Sequence, residues 1–153
     1  MRVTMLLADH AVVAEGKLYV SGGGWSIKGP APSPSAIAMK IDVPWDRTNS
    51  QMKLLIRLLG EDGEPVLVPG PTGMVPVTIE GEFEVGRPPG LKKGTPIDVP
   101  IAFPIGPIPL PPGRYTWELR LDGETQDDWH LAFMVQEMPG QFVEYVVDPP
   151  SDS

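Results

Sequence analysis

Three glutamates at alternate positions, Glu80, Glu82 and Glu84, form a regular row of carboxylates. On an extended strand, side chains two residues apart lie about 7 Å from each other on the same face. That separation falls in the range used by inverting glycosidases, which place a general acid and a general base on either side of a sugar bond. A solvent-facing row of acids on one strand has the same spacing. We favour this second interpretation, which is the ordinary one for an amphipathic strand.

A second group of carboxylates surrounds a predicted turn at residues 122–128. It contains Asp122, Glu124, Asp127 and Asp128. Calcium binds clustered carboxylates on loops, so a calcium-binding or small-ligand-binding domain that uses this acidic turn is our alternative function. The spacing differs from the twelve-residue calcium loop, and Asp-Gly turns are acidic for conformational reasons alone. Zinc fits less well, because the chain has only two histidines, His10 and His130, and no cysteine.

The residues needed for nucleophilic or nucleotide chemistry form no recognisable pattern. The chain lacks cysteine, which excludes thiol nucleophiles, disulfides and iron–sulfur clusters. Ser21 and Ser26 lie beside the glycines at 22–24, without a serine-elbow motif or a base at a recognisable spacing. The glycine run matches no nucleotide-binding motif and is typical of a tight turn or bulge between strands. We therefore predict a protein that is not an enzyme and has no cofactor.

The distribution of charge argues against nucleic acid as a partner. The formal net charge is −8, from 20 acidic and 12 basic residues. The whole excess lies in residues 121–153, which hold eight acids and no lysine or arginine. Phosphate binding needs a clustered basic surface, which this chain lacks. No apolar run reaches the ~18 residues of a membrane span, and the run before Asp9 is shorter than a signal-peptide core, so we expect a cytoplasmic protein.

Alternation of apolar and polar residues dominates the chain and predicts β-strands. In the clearest case Val77, Ile79, Phe83 and Val85 share one face, and the three glutamates share the other. Similar stripes occur at residues 37–43, 97–103, 114–121 and 129–135, and further strands are predicted at 2–8, 17–21, 25–28, 51–59 and 65–68. Residues 51–59 also fit helical spacing, but the Asp-Gly turn after them favours a strand.

The segment at residues 112–123 has the pattern of a late strand in an immunoglobulin-like sandwich. A turn leads into it, Tyr115 lies near its start, and an Asp-Gly hairpin turn ends it. Within this strand we expect Glu118 and Arg120 to face solvent. Together with the turn signals, the strands predict an all-β fold, an immunoglobulin-like antiparallel β-sandwich of about 8–10 short strands.

The order of these elements resembles a family of bacterial β-sandwich domains with no assigned function. The likeness rests on the opening at residues 7–23, the proline-rich loop and strand at 30–43, the LLGEDGEPV hairpin and the closing PGRYTWELRLDGE strand. It covers roughly residues 1–136. The resemblance implies a sandwich fold and brings no catalytic residue, cofactor or substrate.

We divide the chain into a sandwich domain at residues 1–136 and a C-terminal extension at residues 137–153. The extension contains one more alternating run, 141–147, and then an acidic tail that we expect to be disordered. An extra strand of this kind either joins its own sheet or adds to a neighbouring molecule. We therefore predict a non-enzymatic module for protein–protein interaction or assembly, with self-association included. The residues chosen as interaction anchors are Trp25, Trp45, Phe142, Tyr145 and Val147.

Overall fold

The computed structural model describes residues 1–137 of the 153-residue chain. This part of the chain is built from strands and two short 3₁₀ turns, which confirms the all-β prediction. In chain order the strands are β1 (Arg2–Ala14), β2 (Lys17–Gly23), β3 (Ile27–Lys28), β4 (Ser35–Val43), β5 (Gln51–Leu59), β6 (Leu67–Gly70), β7 (Gly73–Pro76), β8 (Thr78–Glu84), β9 (Ile97–Ile105), β10 (Gly113–Leu121) and β11 (His130–Val135). The 3₁₀ turns are Trp45–Arg47 and Asp127–Trp129. Residues 1–137 contain no helix that is long and apolar enough to cross a membrane.

Two sheets hold most of the strands. Sheet A has the order β2-β1-β4-β9, and sheet B has the order β3-β11-β10-β5-β8. Strands β6 and β7 form a separate two-stranded ribbon. Neighbouring strands run antiparallel, except that β3 pairs parallel with β11 among the described strands. The antiparallel part of the fold prediction is therefore confirmed.

The apolar faces of the two sheets share one buried core. Sheet A contributes Leu7, Ile37, Met39, Ile41 and Val43, and sheet B contributes Met52, Leu54, Ile56, Leu58, Trp117 and Leu119. Full burial of one such aliphatic side chain stabilises the fold by roughly 1.5–3 kcal/mol. The alternating residues of 51–59 are among those buried, so this segment is a strand and not a helix, as predicted.

Proline positions identify β9 as a strand that belongs at a sheet edge. Pro100 and Pro104 lie within it, and neither has a backbone N–H to give to a neighbour. Sheet A places β9 last, where one side of the strand needs no partner. Proline is tolerated at such an edge, which is why β9 continues to Ile105, two residues beyond its predicted end.

Two features support the immunoglobulin-like part of the fold prediction. The Tyr115 hydroxyl donates a hydrogen bond to the Pro111 carbonyl, 2.5 Å away. Such a tyrosine corner marks one late strand of immunoglobulin-like sandwiches. The chain also crosses between the two sheets after β2, β3, β4, β8 and β9, while β10 and β11 are neighbours in sheet B. The finer assignment to that fold stays a prediction.

Candidate functional site

Strand β1 separates from β4 halfway along its length and continues as a hairpin with β2. It pairs with β4 only as far as Ala8, and from His10 to Ala14 it pairs with β2 alone. The two-residue turn at Glu15 and Gly16 has φ values of 53° and 71°, which suits the tight turn of a β-hairpin. We call residues 9–23 the projecting hairpin. The sequence predicted β1 to end at Ala8, so the second half of this strand is a correction.

Small side chains fix the projecting hairpin to the outer surface of sheet A. Ala11 is buried there in a cluster with Ala36 and Ala38, and Leu18 packs against the same cluster. Because alanine is small, the backbone of the hairpin can approach the sheet closely. One side of the hairpin is therefore held by packing, and the other side faces solvent.

Four large apolar side chains of the projecting hairpin are exposed. They are Val12, Val13, Tyr19 and Val20, with 42, 43, 49 and 39% of their surface accessible. Val12 lies directly opposite Tyr19 in the hairpin register. Val13 and Val20 lie on the side of the hairpin that carries Ala11, whereas Val12 and Tyr19 form an apolar pair on the solvent side. Single exposed apolar residues are normal on a protein surface, but an adjacent pair on such an element marks an interaction surface.

The free edge of β2 lacks the protection that the other sheet edges have. Edge strands are usually guarded by proline, charge or short length, since unpaired N–H and C=O groups bind other strands. Strand β9 contains two prolines, β8 carries three glutamates, and β3 has only two residues. Strand β2 has Lys17 as its single charged residue and contains no proline. Within residues 1–137 it is the edge best suited to pairing.

The glycine run keeps the projecting hairpin in place. Gly22 has a φ of +59°, and a Cβ atom there would overlap the carboxylate of Asp9. At Gly23 a Cβ would lie 2.6 Å from Val20 Cγ1 and 3.0 Å from Leu6 Cδ1. The glycines therefore serve backbone conformation and close packing, in agreement with the interpretation of this run as a turn or bulge.

A charged cluster occupies the outer face of sheet B. Glu118 accepts hydrogen bonds at Oε1 from Arg57 Nε at 2.6 Å and from Arg120 Nε at 2.8 Å. His130 Nε2 lies 3.4 Å from its other oxygen. Glu118 points outward from the core, as the alternation predicted, but it is only 5% exposed, because side chains from both neighbouring strands cover it. The direction of this side chain was predicted correctly, and its exposure to solvent was not.

The two arginines keep Glu118 ionised. Burial alone would raise the pKa of this carboxyl, but hydrogen bonds and charge from Arg120 and Arg57 outweigh burial and lower the pKa to about 2. Such a group cannot donate a proton near neutral pH. The cluster therefore joins β5, β10 and β11 across the sheet and offers no acid for catalysis.

The glutamate row lies where the alternation placed it. Glu80, Glu82 and Glu84 are exposed on β8, and Lys53 lies opposite Glu82 on β5. Glu80 and Glu82 border an open depression of about 530 Å³ that Arg120 also lines. This is the arrangement of a wet sheet face with cross-strand charge pairs.

The acidic turn at residues 122–128 is tied to its surroundings. Asp122 Oδ2 accepts a hydrogen bond from Arg47 Nη2 at 3.0 Å, and Asp122 Oδ1 accepts one from the Lys53 backbone N–H at 2.9 Å. No group of three or more His, Asp or Glu residues that could hold a metal ion is present within residues 1–137. The calcium alternative stays a prediction, with no assembled set of ligands in the described part of the chain.

Two of the predicted interaction anchors lie in different settings. Trp25 is partly buried against the core, and its indole N–H is buried without a hydrogen-bond partner in the described residues. Trp45 is partly exposed, and the Arg87 guanidinium lies 4.0 Å above its ring. Arg87 also donates hydrogen bonds to Thr48 Oγ1 at 2.6 Å and to the Trp45 carbonyl at 2.8 Å. The other three anchors, Phe142, Tyr145 and Val147, lie outside the described residues, as does the predicted strand 141–147.

The exposed residues of the projecting hairpin were not among the predicted interaction residues. A usable signal was present, since the apolar runs at 11–14 and 18–20 flank the Glu15-Gly16 turn. It marked a hairpin but could not show that the hairpin extends past β4.

Comparison with known proteins gives a family and no function. A family of unknown function (DUF6941) matches residues 3–134, which is most of the chain, and the protein belongs to that family. The resemblance to a family without an assigned function is thereby confirmed, while the bacterial origin that it implied stays a prediction. No curated protein and no solved structure matches the chain.

Proposed function

We propose that this member of a family of unknown function is a non-enzymatic module that binds a protein partner through its projecting hairpin. The observation that carries the proposal is the combination of an unguarded strand edge with exposed apolar side chains at Val12, Tyr19 and Val20. The mode of binding is strand addition, in which main-chain hydrogen bonds supply affinity and side-chain contacts supply specificity.

The register of the hairpin identifies the groups that a partner strand would meet. In a hairpin with a two-residue turn, the residues that flank the turn form a hydrogen-bonded pair. Ala14 and Lys17 are that pair, so Lys17, Tyr19 and Ser21 direct their N–H and C=O groups toward β1. Leu18 and Val20 direct theirs away from β1. These two residues offer two donors and two acceptors to an added strand.

The chemistry-bearing side chains of residues 1–137 also support a binding role. Glu118 is held between two arginines, and Asp122 is occupied by Arg47 and a backbone N–H. Ser21 and His10 face each other across the hairpin, which is the nearest approach to a serine–histidine pair. Both are exposed on an open strand face, and within residues 1–137 no hydrogen bond joins their side chains. Such a surface excludes no water and supplies no pocket for a substrate.

Photo-crosslinking in cells that naturally produce the protein tests the proposal. A benzophenone amino acid replaces Tyr19 in one variant and Leu67 in a matched control, because Leu67 is also exposed, at 53%, on a different hairpin. We expect a discrete protein adduct from position 19 and none from position 67. We also expect the adduct to disappear with Val20→Lys, which places a charge on the pairing edge. Absence of an adduct at position 19, or equal adducts at both positions, would refute this function.

A further inference from the structure

The projecting hairpin carries little net charge on an acidic chain. Residues 9–23 hold two acids, Asp9 and Glu15, and one base, Lys17, whereas the net charge of −8 arises from residues 121–153. Two copies of a protein with an acidic C-terminal part repel each other most where those parts approach. The repulsion is weaker where each copy presents an apolar element with little net charge, and the hairpin is such an element.

We propose that the strand added to the free edge of β2 is β2 of a second copy of this chain. The inference rests on the proposed function and names its partner. The two strands run antiparallel around a two-fold axis perpendicular to the sheet, which makes the contact self-complementary. Sheet A then continues from one molecule into the other, with the order β4-β1-β2 followed by β2-β1-β4 of the second copy.

Symmetry and hydrogen bonding together select the register. A two-fold axis of this kind requires that facing residues point to the same side of the sheet, so their sequence numbers differ by an even number. Only Leu18 and Val20 direct backbone groups outward near the centre of β2. The register that pairs Leu18 with Val20 of the second copy satisfies both conditions, and it makes four backbone hydrogen bonds. Tyr19 then lies directly opposite Tyr19 of the second copy.

Side-chain contacts favour this register over the adjacent symmetric ones. Leu18 meets Val20 of the second copy twice, and the two Tyr19 rings meet once, so every central pair is apolar. Aromatic and branched aliphatic pairs across strands stabilise a sheet by roughly 0.2–1 kcal/mol each. Lys17 lies opposite Ser21 of the second copy, so no like charges face each other. A shift by two residues in one direction would place Leu18 opposite Leu18 of the second copy, and Val20 would lose its apolar neighbour. The opposite shift would place Leu18 opposite Gly22 of the second copy, and Leu18 would lose its apolar neighbour.

Disulfide trapping tests the register. The natural chain has no cysteine, so no other thiol can give background cross-linking. In a non-hydrogen-bonded antiparallel pair the Cα atoms lie about 4.5 Å apart, which a disulfide can bridge. We expect Tyr19→Cys to form a covalent dimer rapidly under mild oxidation. Lys17→Cys and Ser21→Cys alone are the matched controls, because each cysteine would lie about 14 Å from its own copy. Mixing these two variants should restore cross-linking, because residue 17 faces residue 21.

Analytical ultracentrifugation of the unmodified protein completes the test. We expect a concentration-dependent dimer whose Kd rises at least about tenfold in Val20→Lys. A protein that stays monomeric at millimolar concentration would overturn the second-copy inference. A dimer that Val20→Lys leaves intact, or equal trapping of all three cysteine variants, would overturn it as well. After any of these results, the photo-crosslinking experiment with the benzophenone amino acid at position 19 still tests the proposed function separately.

Discussion

Arg57 and Glu118 face each other across β5 and β10, and their side chains form a hydrogen-bonded ion pair with Nε and Oε1 2.6 Å apart. Arg120 donates to the same oxygen at 2.8 Å, so one buried carboxylate serves two guanidinium groups. A buried charge is tolerated only when its partners compensate for the lost water. Glu118 therefore locks the register of the central strands of sheet B.

Glu118→Gln should destabilise the protein. The amide retains the shape of the carboxyl but removes the charge that both arginines need, so we expect the free energy of unfolding to fall by about 2 kcal/mol. Urea denaturation at pH 7 measures this change. Glu82→Gln is the matched control, because Glu82 is exposed, and its effect should stay within about 0.5 kcal/mol. Equal effects of the two substitutions would contradict the role given to Glu118.

Stability should decline in acid through Glu118. The pKa of this carboxyl is about 2 in the folded protein and 4.5 when unperturbed. A lowered pKa stabilises the fold above pH 4.5, and this contribution is lost as the pH falls toward 2. Because each arginine is about one-third exposed, water reduces the contribution, and we expect a loss of about 2 kcal/mol. Denaturation at pH 7 and pH 3 should show a smaller pH dependence in Glu118→Gln than in the natural protein.

The sequence predicts a strand best where one face is apolar and the other polar. For this reason β4, β5, β8 and β10 lie close to their predicted positions. It could not predict the surroundings of Glu118, because Arg57 is 61 residues away in the chain and only the strand register brings them together. Position within a strand shows which face a side chain takes, but it does not show what covers that face.

The projecting hairpin was difficult to predict for a different reason. Its residues are partly exposed on both faces, so alternation carries little information beyond Ala8. The Asp9-His10 pair looked like the end of a strand, although it marks the place where β1 stops pairing with β4. The contact of Trp45 with Arg87, 42 residues apart, was equally invisible. Long-range pairing decides these features, and local sequence does not encode it.

Tyr115→Phe should separate the hydrogen bond of the tyrosine corner from ring packing. The ring stacks on Phe133 with centroids 5.6 Å apart, and phenylalanine keeps this contact. The substitution removes the hydroxyl and leaves the Pro111 carbonyl without its donor, so we expect a loss of about 1 kcal/mol. Thermal unfolding measures the change, with Tyr19→Phe as the control at an exposed tyrosine. A loss below about 0.3 kcal/mol would show that the hydroxyl contributes nothing to the fold.

Arg87→Lys should destabilise the connection between β4 and β5 although it keeps the positive charge. Lysine cannot reproduce the two directed hydrogen bonds to Thr48 Oγ1 and the Trp45 carbonyl, nor the flat contact with the Trp45 ring. We expect a loss of about 1–2 kcal/mol in urea denaturation. Lys92→Arg, in the same exposed loop, should change stability by less than about 0.5 kcal/mol. No difference between the two variants would mean that Arg87 is an ordinary surface residue.

Gly22→Ala should disturb the projecting hairpin more than Gly16→Ala. Both glycines have positive φ, +59° and +71°, so alanine is strained at either position by about 1 kcal/mol. At Gly16 the added methyl group meets open space, whereas at Gly22 it meets the side chain of Asp9. We therefore expect Gly22→Ala to cost at least about 1 kcal/mol more, and hydrogen exchange should show weaker protection of the β1–β2 amides. Removing the obstacle supplies the control. In an Asp9→Ala background the cost of Gly22→Ala should fall toward that of Gly16→Ala, because only the contact with the residue 9 Cβ, at 3.2 Å, is left. A cost that does not fall would show that the Asp9 carboxylate is not what restricts this position.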